Sequence, residues 1–356
     1  MHFNSLLALS SAVVTVVAAP YSPFPLPDGF PQPNAGEVEE IEEAAQGSLP
    51  NGPLPTSVKS TGVTTLQLLA TNEIFEVAYF TELIANITNN VTGYDAVALA
   101  PLDYNYVLKS LTAVVNQEQL HAAGVNGILM SAGQPAIGPC EYSFPVTNFT
   151  QAIALAQTFT DVVLGTLPQA QAAFAADAGD ETPLVPLFGS VLAQEGEQVG
   201  WFRSTAQKTP SAAPFLTGGS ASFAFTAIQA FIIPGSCSTP LSSINLTTFG
   251  PLNVITTGIE AKNSTIEFAV PGTVAPDTNE IVYLSGQNLP VAVPISPVTS
   301  IAGLSHFTAE FPFEATARFA NGLTIAALVK GTGSSFASAD EVAEATLYGP
   351  GLIEVA

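Results

Sequence analysis

Ionisable side chains are scarce in this chain, so the places where they interrupt apolar stretches carry information: Asp, Glu, Lys and Arg make up 10% of its 356 residues. Alternating steps of three and four from Leu66 give Leu66, Leu69, Glu73, Glu76, Phe80, Leu83 and Ile87, one apolar helical stripe with two carboxylates in it. A second stripe runs through Tyr104, Val107, Leu111, Val114, Glu118, His121, Val125 and Ile128, placing Glu118 and His121 at i and i+3 on the seam. A third has the same spacing through Val191, Glu195, Gln198 and Phe202. Burying a carboxylate without a partner is expensive. Glu73, Glu76, Glu118 and Glu195 must therefore face one another, a cation, water or hydrogen-bond donors.

Carboxylate and imidazole ligands suit iron or manganese. One Glu from one helix and a Glu-x-x-His from another, aimed inward, are elements of a di-iron carboxylate centre in an up-and-down bundle of the ferritin-like kind. The set is degenerate. Gln198 stands where a second His is required, and the intervening helix offers Asp161 and Asp177, with only Thr166 and Gln169 near the right depth. Beyond residue 20 the chain has two histidines, His121 and His306. The residues thus predict a metal-free polar network descended from such a site and no catalytic residue. Iron or manganese held by Glu73, Glu76, Glu118, His121 and Glu195 is the alternative.

These side chains need long helices to position them. Apolar periodicity predicts helices over 63–88, 102–129, 149–176 and 184–206, with a kink in the third at Pro168 after Gly165. A shorter one over 220–232 is stopped by Pro234 and Gly235. After residue 240 the runs LNVITT, STIEFAV, EIVYLSG, PVAVPI, HFTAEFPF and LTIAALVK read as antiparallel strands, and Ser338 with Glu341 forms a capping box before a terminal helix. The fold class is α+β, a ferritin-like up-and-down bundle over 59–235 followed by a β-rich, sandwich-like domain over 240–356. Residues 20–58, rich in Pro and acid, read as a disordered tail or propeptide.

Residues 1–19 end an apolar run in small residues, the pattern of a signal peptide, and predict secretion to the medium or the cell wall. Five sequons agree with it, at Asn86, Asn90, Asn148, Asn245 and Asn263. In an oxidising compartment the two cysteines, Cys140 and Cys237, read as one disulfide. A net charge of −22 opposes nucleic-acid binding, which needs Lys and Arg on phosphate. No later run is long and apolar enough for a membrane span. His306 has no G-x-S-x-G beside it, and the seam carboxylates lie too deep for a sugar, so hydrolase readings fall away.

The segments TTLQLLATNEIFEVAYF, NQEQLHAAGV, AQEGEQVGWFR, PGSC, YLSGQNLPV and GLTIAAL together resemble a fungal secreted ferritin-like family that includes late sexual development proteins and stress-response proteins. The resemblance spans about residues 60–356. It implies a ferritin-like domain, secretion, expression tied to development or stress, no established activity, and metal positions at Glu73 or Glu76, Glu118, His121 and Glu195.

Overall fold

The computed structural model of the chain describes residues 21–176, 181–314 and 319–355. The expected signal peptide and Asp177 lie outside the described residues. Four long helices form the bundle: α2 (Ser60–Thr88), α4 (Tyr104–Ser131), α5 (Phe149–Ala176) and α6 (Leu184–Thr205), preceded by α1 (Ala35–Ala45) and with the short α3 (Ala96–Leu99) between the first two. Helix α2 packs chiefly on α4, and α5 on α6. The starts are set locally: Asp103 accepts the Tyr106 N–H at 2.8 Å and Asn148 the Gln151 N–H at 2.9 Å. Lys59 cannot cap α2, and the buried Glu181 supplies the missing acceptor, taking the Lys59 N–H at 2.6 Å.

One half of the bundle core is aromatic. Phe75, wholly buried, meets Phe159 at a centroid distance of 5.2 Å, Phe231 at 5.6 Å, Phe144 at 5.8 Å and Tyr142 at 6.0 Å. Helix α5 continues through Pro168, whose side chain is exposed. Beside it, Gly165 lets the 217–219 loop press onto the helix: a β-carbon there would sit 2.2 Å from the Thr217 carbonyl oxygen, and the Gly165 carbonyl accepts the Gly219 N–H at 3.0 Å. The short α7 (Ala221–Gln229) follows.

The C-terminal part holds two antiparallel four-stranded sheets, β1-β2-β6-β5 and β4-β3-β7-β8. Their strands are β1 (Asn253–Val254), β2 (Ser264–Val270), β3 (Asn279–Ser285), β4 (Val291–Pro294), β5 (Thr299–Ile301), β6 (Leu304–Phe311), β7 (Gly322–Lys330) and β8 (Thr346–Val355). Every residue of β3 is buried, because its sheet is the middle layer. Val282, Leu284, Ile325 and Val329 join the bundle core, while Ile281, Tyr283 and Leu328 pack against Phe268, Phe307 and Phe311 of the other sheet. The Thr217 hydroxyl clips the layers together, donating to the Leu323 carbonyl and accepting the Gly286 N–H at 2.8 Å. Helix α8 (Ala339–Ala345) starts at Ser338, whose hydroxyl accepts the Glu341 N–H at 3.2 Å. Cys140 and Cys237 form a disulfide across a sequence separation of 97.

One expectation is overturned. Residues 21–45 are packed on the bundle where a disordered tail is expected, while 46–54 run largely exposed. Helix α1 carries an Asn34–Glu37 capping box and buries Ile41 and Ala45, and Leu26 and Phe30 are buried ahead of it. Apolar residues at a few positions suffice to dock a segment that is acidic on average. The strands β5 and β8 were also not anticipated, and the terminal helix stops at Ala345, where Thr346 opens β8.

Candidate functional site

The stripes on α2, α4 and α6 converge. Glu73, Glu118, His121 and Glu195 each offer one ligand atom, and these atoms lie within 4.8 Å of one another. His121 Nδ1 is 3.0 Å from Glu118 Oε2 and 3.4 Å from Glu73 Oε2. The three carboxylates are sealed in, at 1%, 0% and 0% exposure for Glu73, Glu118 and Glu195, whereas the His121 side chain keeps 14%.

Hydrogen bonding distinguishes the members. Gln198, at the position of a missing imidazole, donates its amide to Glu118 Oε1 at 2.5 Å. Glu76, also among the sequence candidates, is not one of the four: it is buried beside them with its Oε1 accepting the Asn72 amide at 3.0 Å. Among the described residues, neither buried carboxylate oxygen of Glu195 accepts a hydrogen bond, and Glu76 Oε2 is in the same condition.

The electrostatics follow from this crowding. Burial pushes Glu73 up to about 7, with the charge of Glu118 adding and His121 opposing. Glu76 and Glu195 rise well above the carboxylate range, first through burial and then through the charges of their neighbours, Glu118 foremost for Glu76 and Glu73 foremost for Glu195. Burial pushes Glu118 up too, but the charge and hydrogen bond of His121, with further hydrogen bonds from Glu73 and Gln198, outweigh it and hold the group below its ordinary value. His121 is held well above its own, since Glu118 and Glu73 overcome the cost of its burial.

Helix α5 brings no carboxylate to this point. Thr166 bonds its own helix, donating to the Val162 carbonyl at 2.8 Å, and Gln169 is exposed. Asp161 lies elsewhere, in a buried cluster with Gln157, Glu354, Lys208 and Arg203. The role of Glu354 had no signal in the sequence; that of Asn72 had one, its i, i+4 spacing to Glu76. His306 sits on β6 with its Nδ1 2.8 Å from Glu267 Oε1, away from the cluster. Trp201 donates to the Tyr106 hydroxyl at 3.0 Å and Phe202 stacks on Phe80 at 5.8 Å, so both pack rather than form a ligand platform. Of the sequons, Asn90, Asn245 and Asn263 are exposed and Asn86 and Asn148 half-buried.

A bundle of two helix pairs, with carboxylates and a Glu-x-x-His directed between them, is the arrangement of a ferritin-like domain. Residues 61–208 match the family model described as ferritin-like domain, so the chain carries that domain, and the β-rich part lies beyond it. No curated protein was found that matches the chain. Among the described residues, no helix is long and apolar enough to cross a membrane.

Proposed function

We propose that the bundle holds a single divalent iron or manganese ion between Glu73, Glu118, His121 and Glu195, and that the protein sequesters this ion rather than turning over a substrate. The observation that carries this reading is Glu195, whose two buried carboxylate oxygens have no donor among the described residues, and one of which stands within 4.8 Å of a ligand atom of each of Glu73, Glu118 and His121. The donor set, three carboxylates and one imidazole, fits iron or manganese. A bound ion would supply the positive charge that lets Glu73, Glu118 and Glu195 be ionised together. Gln198, bonded to Glu118, and the lack of a carboxylate from α5 speak for one ion rather than a di-iron oxidase pair.

We further propose a secreted, glycosylated protein of fungal development or stress response, at the cell wall or in the medium. This rests on the apolar first nineteen residues, the five sequons, the disulfide and the resemblance of the motifs set out above. Elemental analysis of protein purified without added metal tests the ion reading. About one iron or manganese per chain, lost in Glu195→Gln, supports it. Metal-free protein that takes up neither ion when supplied would leave only the proton-shared network.

A further inference from the structure

The three carboxylates of the proposed ion site are closed to solvent, and only the imidazole of His121 is partly open, so an ion reaching the site must pass that ring. Gln117, one turn before His121, and Gly124, one turn after it, share its helical face. Gln117 lies against the last residue of α1, and Gly124 against the segment that follows it. Gln117 donates to the Ala45 carbonyl at 3.3 Å, and Leu49 lies over Gly124 so closely that a methyl there would touch it at 3.7 Å. Leu54 covers Gly127 in the same way, also at 3.7 Å. The two glycines leave α4 a smooth track along which the segment lies.

The segment is loosely attached. Residues 46–48 and 50–54 are exposed, Leu49 is half-buried, and a methyl added at Gly47 or Gly52 would meet nothing within 4 Å. The Glu42 carboxylate accepts the Leu49 N–H at 2.9 Å, and the Glu42 carbonyl the Gly47 N–H at 3.1 Å. Pro50, Pro53 and Pro55 keep it extended and short of backbone donors. Few buried contacts and an exposed backbone mark the part of a fold that opens first. Helix α1 by contrast is fixed by Ile41 and Ala45, so the segment has a firm hinge at that end.

We infer that residues 46–57 are a strap that gates the ion site, lifting from α4 on the Leu49 side to admit or release the ion past His121. This rests on the ion reading above and adds its regulation: whatever holds the strap down, or cuts it, sets the rate of exchange. The test loads the full chain with Co²⁺ as a probe and follows loss of the cobalt absorption in excess EDTA. Leu49→Asp and, separately, Leu54→Asp are expected to release cobalt about tenfold faster than the parent, because each removes one of the contacts that lay the strap on α4. Both should still bind one cobalt per chain. Leu289→Asp, on the exposed turn after β3, should leave the rate unchanged. Equal release rates in the parent and both strap variants would overturn the gate while leaving the ion site standing. A parent protein that takes up no cobalt would overturn the site itself, and the gate with it.

Discussion

Asp161→Asn separates the cost of a buried acid from everything else that titrates in this protein. Asp161 is 4% exposed on α5, where Gln157 donates to it at 3.4 Å and to Glu354 Oε2 of β8 at 2.8 Å; Lys208 donates to Gln157 Oε1 at 3.3 Å. Burial raises Asp161 from 3.8 to about 6 in spite of Gln157 and the nearby Arg203. A shift of roughly 2 units is worth about 3 kcal/mol at 1.36 kcal/mol per unit. The folded protein holds this proton more tightly than the unfolded chain. The associated stability is therefore complete below about pH 4 and is lost as pH rises through about 6. Glu354, pushed far up by burial and then by the charge of Asp161, adds to the loss in the same direction. Denaturant unfolding at intervals from pH 4 to 7 is expected to show the parent losing about 3 kcal/mol more than Asp161→Asn over that range. The slope is the readout, since any fixed cost of the amide shifts the whole curve. Parallel pH profiles would refute the reasoning.

Other substitutions probe the packing. Phe75→Ala removes the ring at the centre of the aromatic half of the core and should cost about 3–5 kcal/mol in denaturant unfolding. Gly165→Ala forces its methyl against the Thr217 carbonyl and should cost about 1–3 kcal/mol, with faster amide exchange at Gly219, whose N–H bonds the Gly165 carbonyl. Cys237→Ser opens a loop of 97 residues' separation and should lower stability by up to about 4–5 kcal/mol by chain entropy, while helical circular dichroism persists.

Much of the bundle was legible because a long apolar helix repeats its signal. The stripes through Leu66–Ile87 and Tyr104–Ile128 placed α2 and α4 within a few residues, and a carboxylate on such a stripe has to be buried with company. That logic singles out Glu73, Glu76, Glu118, His121 and Glu195, four of which converge in the structure. It did not separate Glu76 from the other four, although Asn72, one helical turn before it, stands at the spacing that lets it hold the Glu76 carboxylate. Helix α1 went unread although Asn34 and Glu37 spell a capping box, because prolines and acidic residues dominated that stretch. Strand β8 contains Gly349, Pro350 and Gly351, residues unfavourable in a strand, and pairs with β7 on either side of Gly349 and Pro350 across a register shift. The Asp161–Glu354 cluster joins groups nearly two hundred residues apart, and no local pattern announces such a contact.

The ion site itself is most directly tested by calorimetric titration of the metal-stripped full chain with Mn²⁺. The expected result is a stoichiometry of one per chain with proton release, because binding displaces the protons that burial keeps on Glu73 and Glu195. Glu195→Gln should abolish the binding while the fold persists. Absence of binding in the parent, or two ions per chain with Glu195→Gln unaffected, would contradict a single-ion centre at these four side chains.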